Sequence, residues 1–371
     1  MMLTNKKIAI IGAGPVGLTM AKLLQQKGIS VTVYERDKDP QVRIWGGTLD
    51  LHEHSGQAAM KKTGLLNGYF AMAKPMGRII TNELGKVLHI VHPQYDTPEI
   101  NRNDLRQLLL SSLTTDTVVW GSKLTGLSAS NEKWVLHFEN EPDTVADFVI
   151  GANGGMSKIR QLVTDAEIED TGTLIIQGEV YQPEINCPKF YRFCNGNILM
   201  AAYNGINLVA NPDNNGALTY NVTFRNTEGW NSRINFQDTE SVNALLFAIF
   251  SDWGECYKAL FRATTFFVGL PTRKLPIHNL WKTNRPFPIT LIGDAAHIMP
   301  PFAGQGVNTG LVDALILSGN LTNGKFETIE AAISDYEQRM FVYAKEAQSE
   351  TGKNEVAMHQ PEFSFLKRFG K

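Results

Sequence analysis

The stretch Lys7-Ile8-Ala9-Ile10-Ile11-Gly12-Ala13-Gly14-Pro15-Val16-Gly17 decides the fold. Its first half is a short apolar run that reads as a buried strand. Its second half is a G-x-G-x-x-G loop, and an apolar, uncharged helix follows from Leu18 to Gln26. Gly28 ends that helix, Ile29–Tyr34 is the next strand, and Glu35 closes it about twenty residues past the last loop glycine. Strand, glycine loop, helix, strand and terminal acid form the full dinucleotide-binding context. The glycines allow a tight turn, close backbone approach and helix–strand packing, and the acid meets ribose hydroxyls. Arg36 is either a solvated charge or a contact to adenosine.

Working outward, 371 residues are long for one core and suggest two domains, or one domain with an insertion. A hydrophobic fraction of 43% with 19% charged residues marks a soluble globular chain. A net charge of −2 gives no basic footprint for nucleic acid. The cysteines Cys187, Cys194 and Cys256 lack metal-ligand spacing and argue against a disulfide framework, so no metal site is expected. The start, MMLTNKK, has no signal-peptide core, and no apolar run reaches membrane-spanning length. A cytoplasmic location is expected.

Two further strand-to-loop junctions recur. Ile289–Ile292 runs into Gly293-Asp294, then Pro300-Pro301, Phe302, Gly304-Gln305-Gly306 and a helix opening near Val307-Asn308. Glycines here let backbone N–H groups approach a ligand, and the helix N-terminus favours negative charge. A carboxylate and a row of donors facing one space suit a ligand with hydroxyl groups and a site of developing negative charge. A reduced flavin is such a ligand: Asp294 would accept from a ribityl hydroxyl. Gly304, Gly306, Val307 and Asn308 would border the pyrimidine edge. Ala146–Ile150 ends in Gly151-Ala152-Asn153-Gly154-Gly155, followed by Arg160. Several such loops suggest one ligand approached from many strand ends. Arg43-Ile44-Trp45-Gly46-Gly47-Thr48-Leu49-Asp50 is either backbone passing close to something flat or a plain turn into a strand. In the first case Arg43, Gly47 and Asp50 are cofactor-side candidates. Asn101 or Asn103 can cap a helix carrying Arg102 and Arg106 on one face, and Arg106 is either a ligand contact or a solvated charge.

Past Thr173 the composition shifts. Leu174–Tyr181, Ile198–Tyr203, Ile206–Ala210 and Ala217–Arg225 read as strands, with Asn204-Gly205 and Asn215-Gly216 as hairpin turns. An antiparallel sheet is expected over 171–267, backed by a helix over Ser241–Phe250. It interrupts a nucleotide-binding domain formed by 1–170 and 268–326. Glu327–Thr351 is a long amphipathic helix bridging the two, Phe363, Phe365 and Phe369 form an aromatic tail, and helix and tail together make up 327–371. That tail either covers a pocket mouth or packs on the surface.

Gly12–Gly17, Glu35-Arg36, Asn153–Arg160 and Gly293–Gly310 together resemble the group A flavoprotein monooxygenases, single-chain aromatic hydroxylases that use FAD. Within them, RIWGGTLDLH, Asn101–Leu105, Asn-Gly-Gly at Asn153 and GDAAHIMPPFAGQGVN look like the TetX-type tetracycline-inactivating enzymes. The resemblance implies a Rossmann-like α/β domain with an inserted antiparallel sheet, in a monomer. It implies that Glu35 and Arg36 hold the adenosine end and Arg106 the ribityl–phosphate part. Asp294 would hold the ribityl chain, and Pro301, Phe302 and Gly304 would sit beside the isoalloxazine. Gln177 matches a substrate contact, and Met200 lies in the matching substrate strand. Two positions depart: Ile198 stands where the family has an arginine before Leu-Met, and Thr219 where it has a histidine.

The implied chemistry is reduction of FAD by NADPH, a visiting co-substrate, then reaction with O₂ to a C4a-hydroperoxide that hydroxylates an electron-rich enol or phenol carbon. The cofactor carries the hard chemistry, which accounts for a sequence without a nucleophile–base triad. Asp294 and His297 are read as a ribityl contact and a packed or backbone-bonded histidine, not as an acid–base pair. A same-fold hydroxylase of another polyketide or small phenol, and a non-catalytic flavoprotein that sequesters a drug-like ligand, are the alternatives.

Overall fold

A computed structural model describes residues 2–42, 44, 46–226, 234–277 and 281–369. Arg43 and Trp45 lie outside the described residues. Among those described, the strands form four sheets.

The first is parallel throughout, in the order Ile289–Leu291, Phe148–Gly151, Ile8–Ile11, Thr32–Tyr34, Val118–Val119. Strands buried on both faces read as continuous apolar runs, and IAII and FVIG are such runs, wholly buried. One face is covered by helices Pro15–Gln25 and Gln305–Thr322 and the long helix Ile329–Met358. They pack through Ile10, Leu18, Phe148, Leu311, Tyr336 and Met340. The other face is covered by the antiparallel strands Leu124–Ser130, Lys133–Phe138 and Thr144–Ala146, which press Trp134 and Leu136 onto Ala9 and Val149.

The second large sheet has seven strands in the order Phe266–Lys274, Glu169–Tyr181, Ala217–Arg225, Ile206–Asn214, Ile198–Tyr203, Arg78–Thr81, Val87–Val91. It is antiparallel except where Ile198–Tyr203 pairs in parallel with Arg78–Thr81. The hairpin around Gly85 thus joins this sheet, although the sequence places it inside the first segment. Its adjacent apolar pair explains this: Ile79 enters the outer core and Ile80 the opposite one, so both faces of the strand need cover. Likewise Phe266–Lys274 is an edge strand of this sheet and not only a return to the first domain. Behind the sheet lie Thr239–Ile249 and also Pro188–Cys194 and Glu255–Arg262, two helices absent from the sequence expectation. Their Phe190, Tyr257 and Phe261 fill the outer core.

The bridging helix runs 30 residues, past the expected Thr351 to Met358. No helix of the described residues is long and apolar enough to cross a membrane.

Candidate active site

The first glycine loop is shaped by contacts no larger residue could make. Gly12 has φ +109°, and a Cβ there would lie 2.5 Å from the Ala152 carbonyl oxygen. A Cβ on Gly17 would lie 2.1 Å from the Gly12 carbonyl oxygen. Gly14 has open space where its Cβ would be. Gly12 and Gly17 therefore lock the first and third loops together, while Gly14 leaves a ligand free to approach. Pro15 opens the helix as its N1 residue, without a side-chain cap and without an acid in the first turn. The N–H groups of the helix's first turn thus have no side-chain acceptor, and a helix N-terminus of this kind favours an anion.

Glu35 is buried, and both its oxygens accept backbone N–H groups: from Ala13 at 2.6 Å and from Asp37 at 3.0 Å. It braces the glycine loop in addition to any contact it makes with ribose, since a carboxylate has acceptor capacity to spare. Arg36 is exposed beside it.

Arg106 is 2% exposed. Its Nη1 donates to Asp37 Oδ2 at 2.9 Å, and its guanidinium lies 4.9 Å from the Trp120 ring centre. Its Nε and Nη2 have no hydrogen-bond partner among the described residues. Leaving charged donors buried and unpaired costs more than the about 1–3 kcal/mol of a neutral group. A ligand bringing phosphate or hydroxyl oxygens satisfies them. Arg102 donates from Nε to the Gly47 carbonyl at 2.9 Å, which holds the Gly46-Gly47 turn against this helix. Burial lowers the Arg102 pKa, opposed by the Asp294 carboxylate, so the two charges share one space.

Asp294 is exposed at the end of the Ile289–Leu291 strand, and a Cβ on Gly306 would lie 3.8 Å from its Oδ1. Beneath it lies a network the sequence reading missed. Asp313, wholly buried on the Gln305–Thr322 helix, accepts from Gly293 N–H at 2.7 Å and from His297 Nε2 at 2.6 Å. The Tyr343 hydroxyl of the long helix donates to its other oxygen. The expectation of a merely packed or backbone-bonded His297 is thus corrected: its partner is a buried carboxylate. Burial opposes the charge on His297, yet Asp313 raises its pKa. Arg160 ties the third loop in, donating to the carbonyls of Gly155 at 2.7 Å and Ala295 at 2.8 Å.

Gly304, at φ +65°, caps the Gln305–Thr322 helix, again without a side-chain cap. Gly306 and Val307 form its first turn, half-buried, and Pro301 and Gly304 are exposed at its mouth. Asn308 spends its side chain within the protein. Its Nδ2 donates to the Asp50 and Gly304 carbonyls, and its Oδ1 accepts from His52 N, Ser55 Oγ and Gly56 N. With both donors spent, the side chain is a clamp, and only its backbone remains for a ligand.

The four substrate candidates on the seven-stranded sheet share one face. Gln177 pairs with Asn221, Asn221 with Val209, Val209 with Met200 and Met200 with Ile80. Directly paired residues point the same way, and alternation puts Ile198 with Met200 and Thr219 with Asn221. Phe302 and the tail close over this face, in a cluster of Ile80, Met200, Val209, Phe302, Met358, Phe363, Phe365 and Phe369. The tail therefore packs beside the candidate pocket. The long helix holds the Phe302 loop: Thr351 Oγ1 donates to the Pro300 carbonyl, and Asn354 Nδ2 to that of Phe302. Thr219 is engaged by Asn214 at 3.2 Å. Arg78, missed by sequence reasoning, stands directly across from Ile198, and its charge is felt by Asp50 and Glu99.

The uncapped helix ends, the open Gly14 and the unpaired Arg106 donors fit a flavin dinucleotide. The FAD binding domain family matches residues 5–204 and 277–344, most of the chain. The chain is 27% identical over 417 residues to monooxygenase penA of Penicillium thymicola, covering 94% of each. It is 29% identical over 341 residues to a kynurenine 3-monooxygenase of Cytophaga hutchinsonii, covering 87% of this chain and 74% of that one. The tetracycline destructase Tet(55) superposes with a TM-score of 0.81 at 22% identity, covering 100% of this chain and 95% of that one. The glycine loops, the arginine left with donors for a dinucleotide and the family match agree: the chain belongs to the FAD binding domain family and is an FAD-dependent monooxygenase of the aromatic hydroxylase class.

Proposed function

We propose that this enzyme uses NADPH and O₂ to hydroxylate an electron-rich enol or phenol carbon of a tetracycline-type substrate. One observation carries the reading: Gln177 and Met200 share the sheet face over which Phe302 packs. Bound FAD supplies the redox chemistry, taking two electrons from the nicotinamide and delivering one oxygen atom from O₂. The chain's residues do the rest. Arg106 and the Pro15 helix end bind the phosphates, and Asp294 and Glu35 take the hydroxyl groups. The uncapped Gly304 helix end meets negative charge on the ring edge. The Phe302, Phe365 and Met358 cluster excludes water. The wording of the Arg43–Leu51 and Gly293–Val312 stretches favours a tetracycline, and the fold of Tet(55) accommodates that reading.

A second reading has its own observation. Ile198 and Thr219 remove two polar anchors, and the charge that remains nearby, Arg78, sits one strand away. This favours a different polycyclic or phenolic substrate whose ionised oxygen lies nearer Arg78.

The test is NADPH oxidation by the flavin-loaded protein with and without tetracycline, with the product mass. A drug-dependent rate and a gain of one oxygen atom support the first reading. A flavin-loaded protein indifferent to tetracycline overturns it and leaves the second.

A further inference from the structure

Asp50 ends the short strand Leu49–Asp50, and the chain stays extended through His52, which caps the helical turn that follows. Leu49 and Leu51 point into the core, so alternation sends Asp50 and His52 the other way. Asn308 pins both backbones, through the Asp50 carbonyl at 3.0 Å and the His52 N–H at 2.9 Å. The side chains then meet, His52 Nε2 lying 3.5 Å from Asp50 Oδ2, each about one-third exposed. They meet over Gly304: a Cβ there would lie 3.5 Å from Asp50 Oδ1 and 3.9 Å from His52 Nε2. A histidine–carboxylate pair thus opens onto the space that the ring edge and the substrate would share.

We propose that His52, oriented by Asp50, is the base that takes the proton of the substrate's ionisable hydroxyl; this rests on the enol or phenol substrate proposed above. Neutral His52 keeps its Nε2–H toward Asp50 and accepts the proton at Nδ1. The substrate O–H bond breaks, an N–H bond forms, and the electron pair stays on the substrate oxygen. That oxygen enriches the neighbouring ring carbon for hydroxylation. The imidazolium remains paired with Asp50 and returns its proton to water, which reaches the partly exposed side chain. A positioned histidine with a carboxylate behind it is a recurrent solution for proton transfer near neutral pH.

The other charges around the pair are Glu99 on the paired strand, Arg78 on the large sheet and Glu350 on the long helix. The bond to Asp50 raises the His52 pKa above its ordinary 6.5, against burial that lowers it. Burial works to raise the Asp50 pKa, but His52 brings it down overall. Burial, then Asp50, pushes the Glu99 pKa up, and a carboxyl held toward its neutral form is a weaker competitor for the role.

The test uses the oxidised, flavin-loaded protein with p-nitrophenol as probe and no electron donor. The carbon-13 shift of the probe's hydroxyl-bearing carbon reports its ionisation. In the wild type the bound probe should ionise about one pH unit below the free one, roughly tenfold more phenolate at a given pH. His52→Gln should bind the probe and lose that shift. Asp50→Asn should lose most of it, and serves alone if His52→Gln fails to retain flavin. A variant that binds the probe with unchanged ionisation overturns the base and leaves the substrate reading standing. A flavin-loaded wild type that binds no p-nitrophenol overturns the substrate reading and the base with it.

Discussion

Asp313 holds Gly293 from beneath the site. Its Oδ2 accepts the glycine N–H at 2.7 Å, and the Asp294 carboxylate follows directly on that turn. The same oxygen receives His297 Nε2, so one buried carboxylate fixes both ends of the Asp294–His297 helical turn. Replacing Asp313 by Ala leaves His297 and Gly293 without their partner. Breaking a buried pair in this way costs about 3–5 kcal/mol. A large fall in Tm and loss of FAD retention are expected, read by thermal unfolding and flavin absorbance. An Asp313→Ala protein as stable and as yellow as the wild type contradicts the assignment.

The pairing also sets a pH dependence. The His297 pKa is raised in the folded chain, so its contribution to stability is complete below the ordinary value of 6.5. It is lost as pH rises through the raised folded value. Asp313→Asn should flatten this decline on the alkaline side. Denaturant unfolding of both proteins from pH 6 upward measures it, and parallel curves would remove His297 from the account.

Arg106→Gln should weaken FAD binding by roughly tenfold to a hundredfold, the equivalent of about 1.5–3 kcal/mol for hydrogen bonds to a charged group. Arg106→Lys should rescue little, because a lysine has neither the fork that reaches Asp37 and the cofactor together nor the flat face lying on Trp120. Fluorescence titration of the apoprotein with FAD decides this; full rescue by lysine would mean that only the charge matters.

Gly12→Ala and Gly14→Ala should part company. At Gly12 the new Cβ meets backbone at 2.5 Å and φ is +109°, so folding itself suffers, by about 1–3 kcal/mol or more. At Gly14 nothing lies within 4 Å, so the fold should hold while the methyl group obstructs the cofactor. Unfolding and FAD titrations on both variants separate these effects. Equal loss of stability at the two positions would refute the division of labour.

Ile198→Arg, which restores the residue of the resembled family, should not simply restore tetracycline contact. It places a guanidinium directly across from Arg78, and like charges opposed across two strands are destabilising, by about 0.2–1 kcal/mol. Ile198→Arg with Arg78→Ala should recover that stability. A double-mutant cycle on thermal unfolding tests it; additive effects would show that the two side chains do not meet.

The sequence by itself determined the parallel glycine-loop domain, because each strand–loop–helix junction is a local matter of backbone freedom and burial. Gly12, Gly14 and Gly17 could be read without knowing what packs against them, and so could the strand after Ile198 and the long terminal helix. The glycine loops at Gly12, Asn153 and Gly293, with Glu35-Arg36, also pointed to the cofactor class. Tertiary structure decided what distant residues do to each other. The sheet register set Arg78 across from Ile198, 120 positions away in sequence, and brought Gln177, Thr219 and Met200 onto one face. It left two buried donors of Arg106 without a protein partner and spent both donors of Asn308 on the protein. It sank His297 beside Asp313 and raised His52 beside Asp50 over Gly304. Charge pairing and desolvation depend on distance in space, and no periodicity along the chain encodes them.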